Sequence, residues 1–316
     1  MTLGYFFKAG ATFEAQGLDL YEQFPVMRDW CDQVAEWTGT TAADLLSHQP
    51  EEGAYIAVPQ LLRNAVVSLG IADILAERGI HPAAIAGWCA GMMPAACVAG
   101  CIERKDLIEL ISGGPLGSQE GFQDPADDRP EAMAQIAFPA DTPAAQIEWY
   151  YGDEWPGVYL AVDSGLLADG SYRIISVAGY LDDLERLAEA VPRKENFRII
   201  GTYGATHSPL HRPLQEFMSR HILATPIKDP VLPLYSGLSA ELLTTADQVV
   251  DALIRGYTDP VWLDHVRLGM KQAGVRKMVA LGPGTPRRLP FLQWPFEVAE
   301  VLTAKDVAGF AAAAVA

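Results

Sequence analysis

A cysteine between two glycines, Gly87-Trp88-Cys89-Ala90-Gly91, is the segment of this sequence best suited to covalent chemistry. The spacing is that of a nucleophile elbow with a thiol in the nucleophile position. An apolar, β-competent run (83–86) precedes it, and an Ala- and Met-rich helical stretch follows. The glycines let strand and helix crowd the turn, so that a side chain on strained backbone projects into a pocket. The helix N-terminus then offers N–H groups to a thiolate or to an oxyanion. Without a base the same cysteine reads as a small buried residue in a strand–helix turn.

A thiol nucleophile needs a base, and the sequence has six histidines. His207 stands out in Gly204-Ala205-Thr206-His207-Ser208-Pro209-Leu210, a small-residue segment after an expected strand, where the following proline favours a turn. His48 and His81 sit in expected loops. His211 and His221 flank a helical region and His265 lies within one, positions that read as surface. No HExxH run, paired CxxC or acidic cluster points to a metal, and no cofactor is expected. The four cysteines form no disulfide framework, and Cys97 and Cys101, four apart on one helix face, read as apolar packing residues.

The elements that position these residues follow from periodicity. Leu3 to Phe7 reads as a buried strand, and 60–78 carries apolar residues at helical spacing up to Gly79. Helices are expected over 92–99 and 105–111. From Ser112 a Gly- and Pro-bearing, acidic stretch to Pro130 reads as a mobile connection. Strands at 159–163, 172–178 and 197–202 and an amphipathic helix at 181–191 suggest a small α+β lobe inserted into the main domain. Further buried strands are expected at 231–236 and 277–281.

The chain has 316 residues, half of them hydrophobic, enough for a large α/β domain with a second lobe. Its formal net charge of −17 argues against nucleic acid and anionic membrane surfaces as partners. No apolar run reaches the length of a membrane span and the N-terminus lacks signal-peptide features, so a cytoplasmic location is expected.

The ordered set of motifs resembles the acyltransferase family of fatty acid and polyketide synthesis, the malonyl-CoA:acyl carrier protein transacylases and their relatives. That family has a GQGSQ-like turn after the first strand, a QPA-like helix start, GHSxG, an AFHSPL-like histidine segment, an SNV-like strand end, NPVxW and GPG. Here Gln60 sits at the spacing of the glutamine, 87–91 takes the elbow and 205–210 the histidine segment. Pro233 to Gly237 matches the SNV strand, Asp259-Pro260-Val261-Trp262 resembles NPVxW, and Leu281-Gly282-Pro283-Gly284 resembles the GPG turn. The resemblance implies a hydrolase-like α/β large subdomain with a parallel sheet (1–124 and 202–316) and a ferredoxin-like small subdomain (125–201).

It also implies roles. Cys89 and His207 become the catalytic dyad. The GQGSQ turn is degraded to Lys8-Ala9-Gly10-Ala11-Thr12, where the backbone N–H of Ala9 would join that of Ala90 in an oxyanion hole. The family orients its histidine with a backbone carbonyl at the position of Gly237. The substrate pocket would take in Gln60, Trp88, Met92, Gly114, Ala205 and Thr206. For Trp88 and the Met92–Met93 pair, a core position and a pocket wall both stay open. Malonyl members carry an arginine about 25 residues after the nucleophile to grip the substrate carboxylate, and Gly114 falls there. A buried carboxylate without that partner loses several kcal/mol, so a neutral acyl group is expected.

With a cysteine in the elbow, the sequence is most similar to the starter-unit acyl carrier protein transacylases of polyketide synthases. The implied activity is ping-pong transfer of a neutral acyl group between thioesters of CoA or a carrier protein and an acyl carrier protein, in polyketide (including antibiotic) or fatty-acid biosynthesis. Phosphopantetheine would arrive on the substrate. Two other readings stay open: an editing thioesterase using the same dyad, and a non-catalytic scaffold that docks carrier proteins. Arg193-Lys194, Arg198 and Arg287-Arg288 are candidate docking cations for an acidic carrier protein.

Overall fold

The computed structural model describes residues 2–8, 16–47, 58–112, 129–201, 204–284 and 289–315. Five strands form a wholly parallel sheet: β1 (Leu3–Phe7), β2 (Ala84–Gly87), β7 (Leu234–Ser236), β9 (Lys277–Leu281) and β10 (Glu297–Val301), in the order β10-β9-β1-β2-β7. Phe7 lies beside Gly87 and Leu281, and Gly87 beside Ser236, so the carboxyl ends of the central strands come level. Ligand sites of open parallel sheets collect at that edge.

Helices cover both faces, and the strands accordingly read as near-continuous apolar runs. Period-2 alternation divides them between two cores. Tyr5, Phe7, Ile85, Leu234 and Val279 face a large cluster with helices Pro25–Thr38, Val58–Ala76 and Met92–Val98. Phe6, Ala84, Ala86, Trp88, Tyr235 and Met278 face a second cluster with helix Leu263–Gln272. This parity decides the fate of Trp88 below.

The second sheet is built from β3 (Glu131–Pro139), β4 (Val158–Leu166), β5 (Tyr172–Tyr180) and β6 (Phe197–Gly201), in the order β6-β3-β5-β4 with antiparallel neighbours. Helix Ala144–Glu148 follows β3 and helix Leu181–Ala190 follows β5, so the chain order is β-α-β-β-α-β, the ferredoxin-like arrangement. Leu184 and Leu187 bury one helix face against Ile136 and Val177. A two-residue strand, β8 (Val261–Trp262), pairs in parallel with β4 and ties this sheet to the rest of the chain.

The expected strands at 3–7 and 277–281 form with those limits. Three strands carried no sequence expectation: β3, β8 and β10. In β3 the inward positions include Ala132 and Ala134, weak strand formers whose alternation is easy to miss. Strand β8 is two residues long, and β10 is an edge strand reading Glu-Val-Ala-Glu-Val. Most of the expected mobile connection, 113–128, lies outside the described residues. Among the described residues no helix is long and apolar enough to cross a membrane.

Candidate active site

The two non-glycine residues with positive φ among those described are Cys89 (φ 55°) and His207 (φ 60°). A side chain in the left-handed region costs about 1–2 kcal/mol. Such strain persists only where the surroundings over-determine it.

For Cys89 the surroundings are the ends of β1 and β2. The Trp88 N–H donates to the Phe7 carbonyl at 3.1 Å, and the Gly91 N–H closes the turn on the Trp88 carbonyl at 3.0 Å. A Cβ at Gly91 would lie 2.2 Å from the Phe7 carbonyl oxygen, and one at Gly87 would lie 2.4 Å from the Met92 Cα. Both glycines are therefore required by close backbone approach.

His207 is held from three directions. Its N–H donates to the Tyr257 carbonyl at 3.0 Å. Ser208 Oγ donates back to the Ala205 carbonyl at 2.6 Å, closing the turn. The Ala205 N–H donates to Glu131 Oε2 at 2.7 Å.

The two side chains meet. Burial by itself pushes the Cys89 thiol up, but the facing His207 charge, its hydrogen bond and the Ala90 N–H bring it below its ordinary value. Burial likewise pushes His207 down, and the Cys89 thiolate, its hydrogen bond and the backbone carbonyls of Asp259 and Gly256 carry it above the usual histidine range. Each side chain thus favours the charged form of the other, the direction that activates a cysteine nucleophile. The other cysteines run the opposite way: burial pushes Cys31 and Cys97 up to about 12 and Cys101 up to about 11.

The dyad opens on an apolar cavity of about 130 Å³, walled by Leu61, Met92, Met93, Ile111, Leu214 and Leu253. Asn64, Thr206, His211 and Tyr257 add polar groups, and Ala90 lies beside the nucleophile. Of the residues expected in the pocket, Met92 and Thr206 are in its wall. Ala205 is not: it packs against Ala161 and Ala178 and acts through its N–H. Trp88 is also elsewhere. Strand parity turns it to the opposite face of the sheet, where it packs 6.2 Å from Phe6 in the second core. Gln60 is buried on helix Val58–Ala76 with no hydrogen-bond partner among the described residues, and it does not line the cavity.

Gly237 requires a correction. Its carbonyl contacts His265 Nδ1 at 3.1 Å and accepts the Trp262 N–H at 2.8 Å. The carbonyls that bear on His207 come from Gly256 and Asp259, at the end of helix Ala246–Arg255. None makes a well-formed hydrogen bond to His207 Nδ1, which is buried without a partner among the described residues. The expectation followed strand order, whereas the helix end that packs over the histidine decides which carbonyl lies near it.

Ala9, Gly114 and the Arg287-Arg288 pair lie outside the described residues. Lys8, at the head of the degraded turn, is buried, with its Nζ on Glu300 at 3.2 Å. Among the described residues no group of acidic, histidine and cysteine side chains could hold a metal.

Three site residues were not found by reading the sequence. His211, read as surface, is 5% exposed, lines the cavity and sets Nε2 3.2 Å from Glu131 Oε2. Its place just before helix Arg212–Ala224 gave no sign that it turns inward. Glu131 and Tyr257 carried no signal either. Tyr257 lines the cavity, and burial with the nearby Cys89 charge pushes its phenol up.

No protein-family model matches the chain. It is 26% identical over 281 residues to the malonyl CoA-acyl carrier protein transacylase of Bacillus subtilis, covering 87% of this chain and 84% of that one. Among solved structures, an acyl-carrier-protein-S-malonyltransferase from Bartonella henselae superposes with a TM-score of 0.83 at 18% identity, over the whole of both chains. A malonyl-transacylase solved with its type II polyketide synthase acyl-carrier protein superposes with a TM-score of 0.79 at 18% identity, over 98% of each chain. The chain has the fold of these transacylases, a parallel sheet with an inserted second sheet.

Proposed function

We propose that this chain is an acyltransferase that carries a short neutral acyl group on Cys89 between a CoA or carrier-protein thioester and an acyl carrier protein. The observation that carries the reading is the strained Cys89–His207 pair, each side chain shifting the other toward its charged form, at the end of an apolar cavity. The sequence similarity to a transacylase over 87% of the chain supports the reaction class. That a related fold has been solved with its acyl-carrier protein supports the partner.

In this reading the Cys89 thiolate attacks the donor thioester carbonyl, and the carbonyl oxygen takes up the negative charge. The Ala90 N–H, which lies against the sulfur in the resting site, is one oxyanion donor, and the Ala9 N–H is the proposed second. The intermediate collapses, breaking the bond to the donor sulfur, and His207 gives its proton to the departing thiolate. Neutral His207 then takes the proton from the phosphopantetheine thiol of the acceptor. That thiolate attacks the acyl-Cys89 thioester and releases Cys89 as thiolate beside imidazolium. Each half-reaction exchanges one thioester for another, so transfer runs in both directions.

The neutral acyl group is argued from the cavity. No described residue in its wall is Arg or Lys, so apart from His207, which is engaged with Cys89, and His211, which is held by Glu131, a substrate carboxylate would meet no basic side chain there. The Glu131 carboxylate behind His211 adds a negative charge to that side. A cavity of about 130 Å³ is near the size that admits benzene. That suits a short acyl chain and a starter-unit role.

Intact-mass analysis with a panel of acyl-CoA thioesters, then with an acceptor carrier protein, tests both parts. We expect a neutral short-chain adduct that is absent from Cys89→Ala and moves to the carrier. A dominant malonyl adduct refutes the neutral assignment. Release of free acid faster than transfer replaces transferase with thioesterase. No adduct from any thioester removes the enzyme reading.

A further inference from the structure

Glu131 stands at the first position of β3, opposite Tyr180 in the small sheet, far from the dyad in sequence. One of its oxygens, Oε2, serves two partners: the Ala205 N–H at 2.7 Å and His211 Nε2 at 3.2 Å. These partners lie two residues before and four residues after His207. We propose that Glu131 is a positioning residue: its carboxylate clamps the segment 205–211 from both sides of His207 and so holds the imidazole against Cys89. The proposal rests on Cys89 and His207 being the reacting pair, whatever acyl group they carry.

The physical case is a balance of strain and restraint. His207 sits at φ 60°, a conformation that a loop left to itself relaxes. The Ser208–Ala205 bond closes the turn locally, but it moves with the loop. The Tyr257 carbonyl restrains the His207 N–H and leaves the flanks free. Glu131 is the restraint anchored in the small sheet, where the β3–β5 ladder pairs its backbone with Tyr180.

Its side chain is about one-tenth exposed. Burial pushes its carboxyl up, and the His211 contact and the Ala205 N–H more than offset that, so it stays ionised and keeps accepting from both. The small lobe thereby sets the geometry of a dyad whose two members both belong to the rest of the chain.

The test reads the dyad without any acyl substrate: the rate of Cys89 alkylation by iodoacetamide against pH, beside thermal unfolding. In Glu131→Ala we expect alkylation at pH 7 to slow about tenfold as the inflection moves up by about one pH unit. In Glu131→Gln, whose amide oxygen still accepts from Ala205, most of the rate should return. Glu131→Asp, one methylene short of both donors, should behave as the alanine variant does and serves if that one fails to fold. Leu184→Ala, which loosens the same lobe's core away from the dyad, should lower the melting temperature with an unchanged profile. A wild-type profile in both Glu131→Ala and Glu131→Asp overturns the proposal, as does an equal shift in Leu184→Ala. Because alkylation needs no thioester, failure here is distinct from failure of the acyltransferase reading.

Discussion

Replacing Gly91 by alanine isolates the contribution of backbone approach to the nucleophile. Gly91 has φ −65° and ψ −13°, so alanine finds no conformational obstacle there. The obstacle is space. The new methyl carbon would sit 2.2 Å from the Phe7 carbonyl oxygen and 2.5 Å from that of Lys8. Both belong to backbone at the end of a central strand, which cannot rotate aside as a side chain would. Opening the tighter contact to 3.0 Å parts turn and strand by about 0.8 Å in a close-packed interior.

Overpacking of this kind costs about 3 kcal/mol, or about 4.5 °C in melting temperature for a chain of 316 residues. A shift near 1 Å in a reacting group costs about a hundredfold in rate. Gly79→Ala is the matched control, with φ 70° and nothing within 4 Å of the new carbon. It should lose about 1–2 kcal/mol to backbone strain and leave Cys89 untouched. The assay is Cys89 alkylation at pH 7 beside calorimetric melting. A Gly91→Ala protein that melts within a degree of wild type and alkylates at the wild-type rate refutes the close-approach argument.

Two further outcomes follow from the electrostatics. His207→Ala removes the largest influence holding the Cys89 thiol down and leaves burial, which raises it. The alkylation inflection should therefore move above the ordinary thiol value of 9.0, with little reaction at pH 7; an inflection below that value would contradict the dyad. The Glu131 carboxyl is lower in the folded chain than in the unfolded one, so its stabilising contribution is present above the unfolded value of about 4.3 and is lost as pH falls through the folded value. Chemical denaturation across pH 3 to 7 should show wild type exceeding Glu131→Gln near neutrality and converging with it in acid; a gap that widens in acid would reverse the sign.

Much of the parallel sheet was legible because each strand buried on both faces is a local apolar run. Leu3–Phe7 and Lys277–Leu281 needed no partner to be recognised. The dyad was legible for a related reason: an elbow glycine pair and a small-residue histidine turn are local solutions to local crowding. Strand β8 escaped because two residues become a strand only through pairing with β4. Ala132 and Ala134 in β3 became inward positions only through pairing with β5 and β6.

By itself, then, the sequence determined that a cysteine would stand on a strained strand–helix turn and that one histidine turn suited it as a base. Those properties depend on residues within a few positions of each other, where glycine spacing and side-chain size are sufficient causes. The tertiary structure alone decided the rest. It chose which face of the sheet takes Trp88, which carbonyls bear on His207, and that Glu131 and His211 meet behind the cavity. Each of these depends on the packing of elements distant in the chain. Contact between such elements is set by the shape and burial of both partners at once, which neither segment encodes alone.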